Sequence, residues 1–158
     1  MNKSPLPDLS FLYDCALKFR QAIEKAKFAG EFTNDRILFK FPTACCGDAS
    51  CLLGQYLLDY GISSKYVCGM YYDNTGCQSH AWIEVGDIIV DITGDQFKLQ
   101  SKFFYYDIPV FVGKPDEMHL LFEVEEINVR PTAPLDKLGP FAAPRLSRLY
   151  KSIKALIE

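Results

Sequence analysis

A chain of 158 residues fits one domain with a single sizeable core, and 49% hydrophobic with 23% charged residues is an ordinary globular composition. A net charge of −3 without a basic stripe argues against nucleic acid as a partner. No run is apolar enough to span a bilayer and residues 1–8 hold no apolar signal core, so a cytoplasmic protein with no membrane partner is expected, with an effector secreted by a non-Sec route as the alternative.

The first predicted element is a helix capped by Asp8 or Ser10 and running to about Phe28. Leu12, Cys15, Ala16, Phe19, Ala22, Ile23 and Ala26 form one apolar stripe along it, and Gly30 ends it. This helix reads as scaffold. Residues 36–41 read as a short strand or an extended lead, because Pro42 biases Phe41 away from helix. A second helix follows, with Ala49, Leu52, Leu53, Tyr56, Leu57 and Tyr60 on its apolar side and Gly61 at its end. Cys45 and Cys46 stand at or just before its start.

Residues 65–72 read as a strand and 73–76 as a turn. The stretch 77–93 reads as a hairpin turned at Gly86-Asp87, which completes an antiparallel meander. Residues 103–106 and 109–112 read as strand or extended chain, and 119–124 is another strand candidate. The Pro-rich stretch 131–144 is irregular, and Leu146, Leu149, Tyr150, Ile153 and Ile157 mark a terminal helix. The expectation is one α+β domain over residues 1–158: N-terminal helices packed on an antiparallel sheet, then a C-terminal helix.

Chemistry is expected around the hairpin. About a two-residue turn, Val85 faces Ile88, Ile83 faces Val90 and Trp82 faces Asp91. His80 is then diagonal to Asp91 on the same face, about 7–8 Å away between Cα atoms and within reach of a His–Asp hydrogen bond. A one-residue slip would turn Asp91 away.

Upstream, a thiol at a helix N-terminus is favoured as a thiolate, and a neighbouring His held by a carboxylate completes its activation. Cys46 continues the stripe of Ala49, Leu53 and Leu57 and is favoured as that thiol over Cys45. Cys15, Cys51 and Cys68 read as core thiols, and the cysteines are expected to be reduced. His119, the only other histidine, reads as structural. A zinc site from Cys77, His80, Cys45 and Cys46 is an alternative, although it lacks the usual paired Cys-x-x-Cys spacing. A non-catalytic interaction or immunity-type domain is another.

Several motifs occur in order: Cys46-Gly47-Asp48-Ala49-Ser50, Tyr60-Gly61-Ile62, Tyr66-Val67-Cys68-Gly69, His80-Ala81-Trp82-Ile83-Glu84-Val85 and Val90-Asp91-Ile92-Thr93. Together they resemble the core of the transglutaminase-like branch of the papain-like cysteine enzymes. The resemblance spans residues 46–93. It implies a papain-like fold, Cys46 as nucleophile, His80 as general base and acid, and Asp91 as the orienting carboxylate. It also implies a supporting or substrate-binding Trp82; the substrate itself does not transfer with the resemblance, and a peptide or protein substrate with no cofactor or metal is the expectation. The implied reaction is acyl transfer at an amide, as a peptidase, an amidase or a glutamine deamidase. The side-chain oxyanion donor that papain-type enzymes carry upstream has no counterpart, since no Gln stands between Phe28 and Cys46. Gln78 and Gln96 are near in sequence, and the resemblance assigns a role to neither.

Overall fold

The structure, a computed structural model, describes residues 5–157; residues 1–4 of the Pro-containing lead-in and Glu158 lie outside the described residues. Among the described residues, three α-helices and a five-stranded antiparallel sheet make an α+β architecture. No helix among the described residues is long and apolar enough to cross a membrane.

Helix α1 spans Leu9–Phe28. The Asp8 carboxylate caps it by accepting the Ser10 N–H at 2.9 Å, and Gly30 leaves it in the left-handed region at φ +83°. The predicted stripe is the buried stripe, with Arg20 added to it. Helix α2 spans Cys46–Asp59 and begins at the cysteine itself, with Cys45 in the N-cap position. Gly61, at φ +74°, turns the chain out of it. Helix α3 spans Ala142–Lys154 and buries Leu146, Leu149 and Ile153.

The strands are β1 (Lys65–Asp73), β2 (Gly76–Val85), β3 (Ile88–Asp91), β4 (Phe111–Gly113) and β5 (Val129–Pro131), in sheet order β4-β3-β2-β1-β5. The hairpin register is the predicted one: Val85 pairs with Ile88 and Ile83 with Val90. Gly86 supplies the positive φ of +61° that the tight turn requires.

Three strand expectations fail, each for a local reason. Residues 38–40 form a short 3-10 turn, because Asp35 Oδ1 accepts the Ile37 and Leu38 N–H groups at 3.1 and 2.8 Å and curls the segment. At 119–121 the same device operates: Asp116 Oδ1 accepts the His119 N–H at 2.9 Å and opens a 3-10 turn. Only Glu123 then reaches the sheet, bridging Met70. Residues 101–103 are also a 3-10 turn, and Phe104 and Tyr105 follow in the left-handed region. Of that apolar stretch only 111–113 is strand, pairing with β3 so that Phe111 lies beside Asp91.

The sheet has two unlike sides. Ile83, Val85 and Val90 join the helices in one large core. Val67, Trp82 and Ile89 join a smaller cluster with Phe97, Phe103, Met118 and Phe122 from the segments after β3. Gly69 on β1 makes room for that cluster, since a Cβ there would stand 2.7 Å from Phe122.

Candidate active site

The start of α2 meets the middle of β2. The Cys46 sulfur is hydrogen-bonded to the His80 ring and receives the Ala81 N–H. Burial pushes the Cys46 thiol up, but the His80 hydrogen bond and charge and the Ala81 N–H outweigh it and hold the thiol below its ordinary value. The other buried thiols go the opposite way. Burial drives Cys45 up to about 12 and also raises Cys15, Cys51 and Cys68. The choice of Cys46 over Cys45 therefore has an electrostatic basis, for Cys45 points into the apolar core and is sealed there. All six cysteines are free.

His80 is fully buried, and its Nε2–H donates to Asp91 Oδ2 at 2.7 Å. Its Nδ1 is left for the thiol and for Gln96, whose Nε2 lies 3.1 Å away. Burial works against the imidazolium, but the Asp91 charge, the Asp91 hydrogen bond and Cys46 raise its pKa to about 9. Asp91 is 2% exposed. Burial would raise its pKa, yet the charge of His80 and hydrogen bonds from His119 and His80 hold it far below the usual carboxylate range. Its Oδ1 accepts the Thr93 N–H at 2.9 Å.

Trp82 is buried rather than open to the surface. Its ring packs 5.6 Å from that of His80, and its indole N–H donates to Glu84 at 3.2 Å. Phe97 and Phe122 enclose the same imidazole at 5.0 and 5.6 Å between ring centroids. This apolar sheath keeps water from screening the charges, which makes each ionic contact stronger.

The structure adds residues that sequence reasoning missed. Arg20 of α1, 6% exposed, grips Asp95 through two parallel contacts of 2.8 Å and donates to the Ile92 carbonyl at 2.8 Å. It thereby fixes the loop that follows Asp91, so α1 is more than scaffold. That loop delivers Gln96, whose amide also donates to the Thr93 carbonyl at 3.0 Å. Arg145 of α3 ties Asp48 in the first turn of α2 to Asp35, at 2.7 and 2.8 Å. A sequence cue existed for Arg20: a charge lying inside an otherwise apolar helical stripe.

The largest addition is His119, which the sequence marks only as structural. It is 2% exposed, and its Nε2–H donates to the same Asp91 Oδ2 at 2.8 Å. Its Nδ1 lies 2.6 Å from Asp116 Oδ1, and Tyr106 O–H donates to Asp116 Oδ2 at 2.7 Å. Burial disfavours the charged ring, but Asp116 and Asp91 outweigh it and raise its pKa.

His80, Asp91 and His119 are the only group among the described residues that gathers three ligand atoms closely enough to hold a metal ion. The cysteine set of the sequence alternative is not assembled; Cys77 is exposed and apart from that group. Two ligand atoms bonded to one tetrahedral zinc at about 2.0–2.1 Å stand roughly 3.3 Å apart. Here each imidazole nitrogen is only 2.7–2.8 Å from one shared oxygen, which is hydrogen-bond spacing. The donor set therefore fits two N–H groups on one carboxylate better than three ligands on an ion.

Comparison with family models, with curated proteins and with solved structures found no match to the chain.

Proposed function

We propose that the protein is a thiol-dependent acyl-transfer enzyme acting on an amide of a peptide or protein, with Cys46 as nucleophile, His80 as base and acid, and Asp91 as the orienting carboxylate. The observation that carries this reading is the divergence of the thiols: Cys46 alone, at the start of α2 and bonded to a carboxylate-held imidazole, has its pKa lowered. A papain-like, transglutaminase-like fold is part of the same proposal, and the resemblance over residues 46–93 supports it.

The chemistry follows from the contacts. The Cys46 proton resides on His80 Nδ1, leaving a thiolate that attacks the carbonyl carbon. No side chain caps α2, so the N–H groups of its first turn are open to the oxyanion that develops. Collapse of that intermediate breaks the C–N bond, and the Nδ1 proton of His80 passes to the departing amine. Water then gives its proton to Nδ1 and attacks the thioester, and the acid leaves as the thiolate is restored. With an acceptor amine in place of water the product is a new amide. Loss of ammonia from a glutamine side chain and cleavage of a peptide bond differ only in the leaving amine. Gln96 Nε2, 3.1 Å from Nδ1, can donate to that nitrogen only in the steps where it has given up its proton.

Iodoacetamide at pH 6 tests the reading. An ordinary thiol is roughly 0.3% thiolate there, so Cys46 is expected to be carboxymethylated at least about tenfold faster than the other thiols. Cys46→Ala should remove the fast label and leave a folded protein. Mass spectrometry of peptide mixtures incubated with wild type and Cys46→Ala then separates cleavage from a one-dalton deamidation shift. Six thiols reacting slowly and alike would end the proposal.

A further inference from the structure

The acyl-transfer reading uses Cys46, His80 and Asp91 and leaves His119, Asp116 and Tyr106 without a task. Yet these three continue the same line of hydrogen bonds. Both nitrogens of His119 face a carboxylate oxygen, Asp91 Oδ2 at 2.8 Å and Asp116 Oδ1 at 2.6 Å. A neutral imidazole has one N–H, so it would press a lone pair against one of these oxygens. With Asp91 and Asp116 both held as carboxylates, both contacts are met at once only when the ring carries both protons.

The surroundings agree with a fixed cation. Asp91 reaches the ring from β3 and Asp116 from its own loop. His80 on β2 lies 6.1 Å away between centroids, and Tyr106 from the preceding segment lies 6.0 Å away. The remaining neighbours are apolar: Phe111 of β4 stacks at 5.0 Å, and Trp82 of β2 stands edge-on at 5.2 Å. Asp116 is itself held by the His119 backbone N–H and by the Tyr106 hydroxyl. A neutral structural histidine pairs one nitrogen with an acceptor and the other with a donor; this one faces two carboxylates and sits on the carboxylate that orients His80.

We propose that His119, kept as an imidazolium by Asp116, is a positioning residue for Asp91 whose charge moderates the basicity of His80. The proposal rests on the acyl-transfer reading. Asp91 Oδ2 is shared between two N–H donors, so charge drawn toward His119 is withheld from His80. Without the cation, Asp91 holds the His80 proton more tightly, and His80 becomes a poorer acid toward the leaving amine. Asp116 acts at one remove, by keeping the second proton on His119.

The chain has two histidines, so imidazole 15N spectra assign themselves once one is replaced. In the wild type, His119 is expected to show two protonated nitrogens at pH 7.5, where an ordinary histidine of pKa about 6.5 is neutral. His119→Gln, which can still donate to Asp91, should raise the midpoint of His80 by about half to one pH unit. Asp116→Asn should move it the same way, and it keeps the test alive if His119→Gln folds poorly. A neutral His119 at pH 7.5 overturns the proposal. So does an unmoved His80 midpoint in the folded fraction of both variants, which is what a purely structural histidine gives. One zinc per chain in the purified protein overturns it as well, because the metal would take the nitrogen lone pairs. Iodoacetamide labelling of Cys46 reads the acyl-transfer proposal separately: slow labelling with a moving His80 midpoint sinks the enzyme and leaves the electrostatic coupling standing.

Discussion

The two sides of the sheet solve different problems. On the helix side, Phe19, Leu52, Leu57, Ile83 and Val90 pack as an aliphatic and aromatic core whose value is the apolar area removed from water. On the other side, Phe97, Phe103, Phe122 and Trp82 surround two imidazoles and a carboxylate. Burial there serves the charges, since a dry aromatic sheath strengthens ionic contacts that water would weaken. The same sheath makes an unpaired charge costly, and the network leaves no buried side-chain nitrogen or oxygen without a partner among the described residues. The helix side should therefore respond to lost volume, and the opposite side to lost partners.

The strongest way to break this contrast is Asp91→Ala. It leaves His80, His119 and Thr93 facing an empty acceptor position, and removing one partner of a buried charged network costs about 3–5 kcal/mol. Denaturant unfolding should show that loss, and rapid labelling of Cys46 at pH 6 should vanish with it. On the helix side, Leu57→Ala should cost about 2–5 kcal/mol through the cavity it leaves. Its pH profile of Cys46 labelling, taken per folded molecule, should overlay the wild type. A shifted profile there would mean that the two sides are not independent.

The pH dependence of stability probes the charged side together with the helix-side carboxylates Asp35 and Asp59, which are also held below their ordinary values. Asp91 and Asp116 are held below the usual carboxylate range, so their contribution is in place above the unfolded value of about 4 and is lost as pH falls through their folded values. His119 is raised, so its contribution is complete below about 6.5 and is lost as pH rises through its folded value. Thermal midpoints are expected to be highest between about pH 4 and 6.5, and the alkaline decline should flatten in His119→Gln. An equally steep decline in that variant would remove His119 from the account. The smallest expected effect belongs to Gln96→Ala. Losing one hydrogen bond to the ring is worth about 1 kcal/mol, roughly a fivefold change in the rate of Cys46 labelling, with the thermal midpoint little altered.

Local rules were enough for much of this molecule. Asp8 and Gly30 bound α1, Gly61 ends α2, and the Gly86-Asp87 turn sets the register of β2 and β3, because caps and tight turns are decided by a few adjacent residues. The register in turn puts His80 and Asp91 on one face, and the stripe of α2 puts Cys46 at its head. The short segments after β3 were not legible in the same way. An apolar run such as 119–124 has strand composition, yet one Asp116 carboxylate curls its start into a 3-10 turn.

The sequence by itself determined the helix bearing Cys46, the hairpin and the pairing of His80 with Asp91, since periodicity, caps and turn length act over a few residues. Only the tertiary structure decided which thiol has its pKa lowered, because Cys45 and Cys46 differ in what lies across space from them. It also brought Arg20 to Asp95, 75 positions later, and His119 to Asp91, 28 positions earlier. Contacts between distant positions leave no periodic trace in a single chain, and an isolated histidine in an apolar run looks the same whether it meets a ring or a carboxylate.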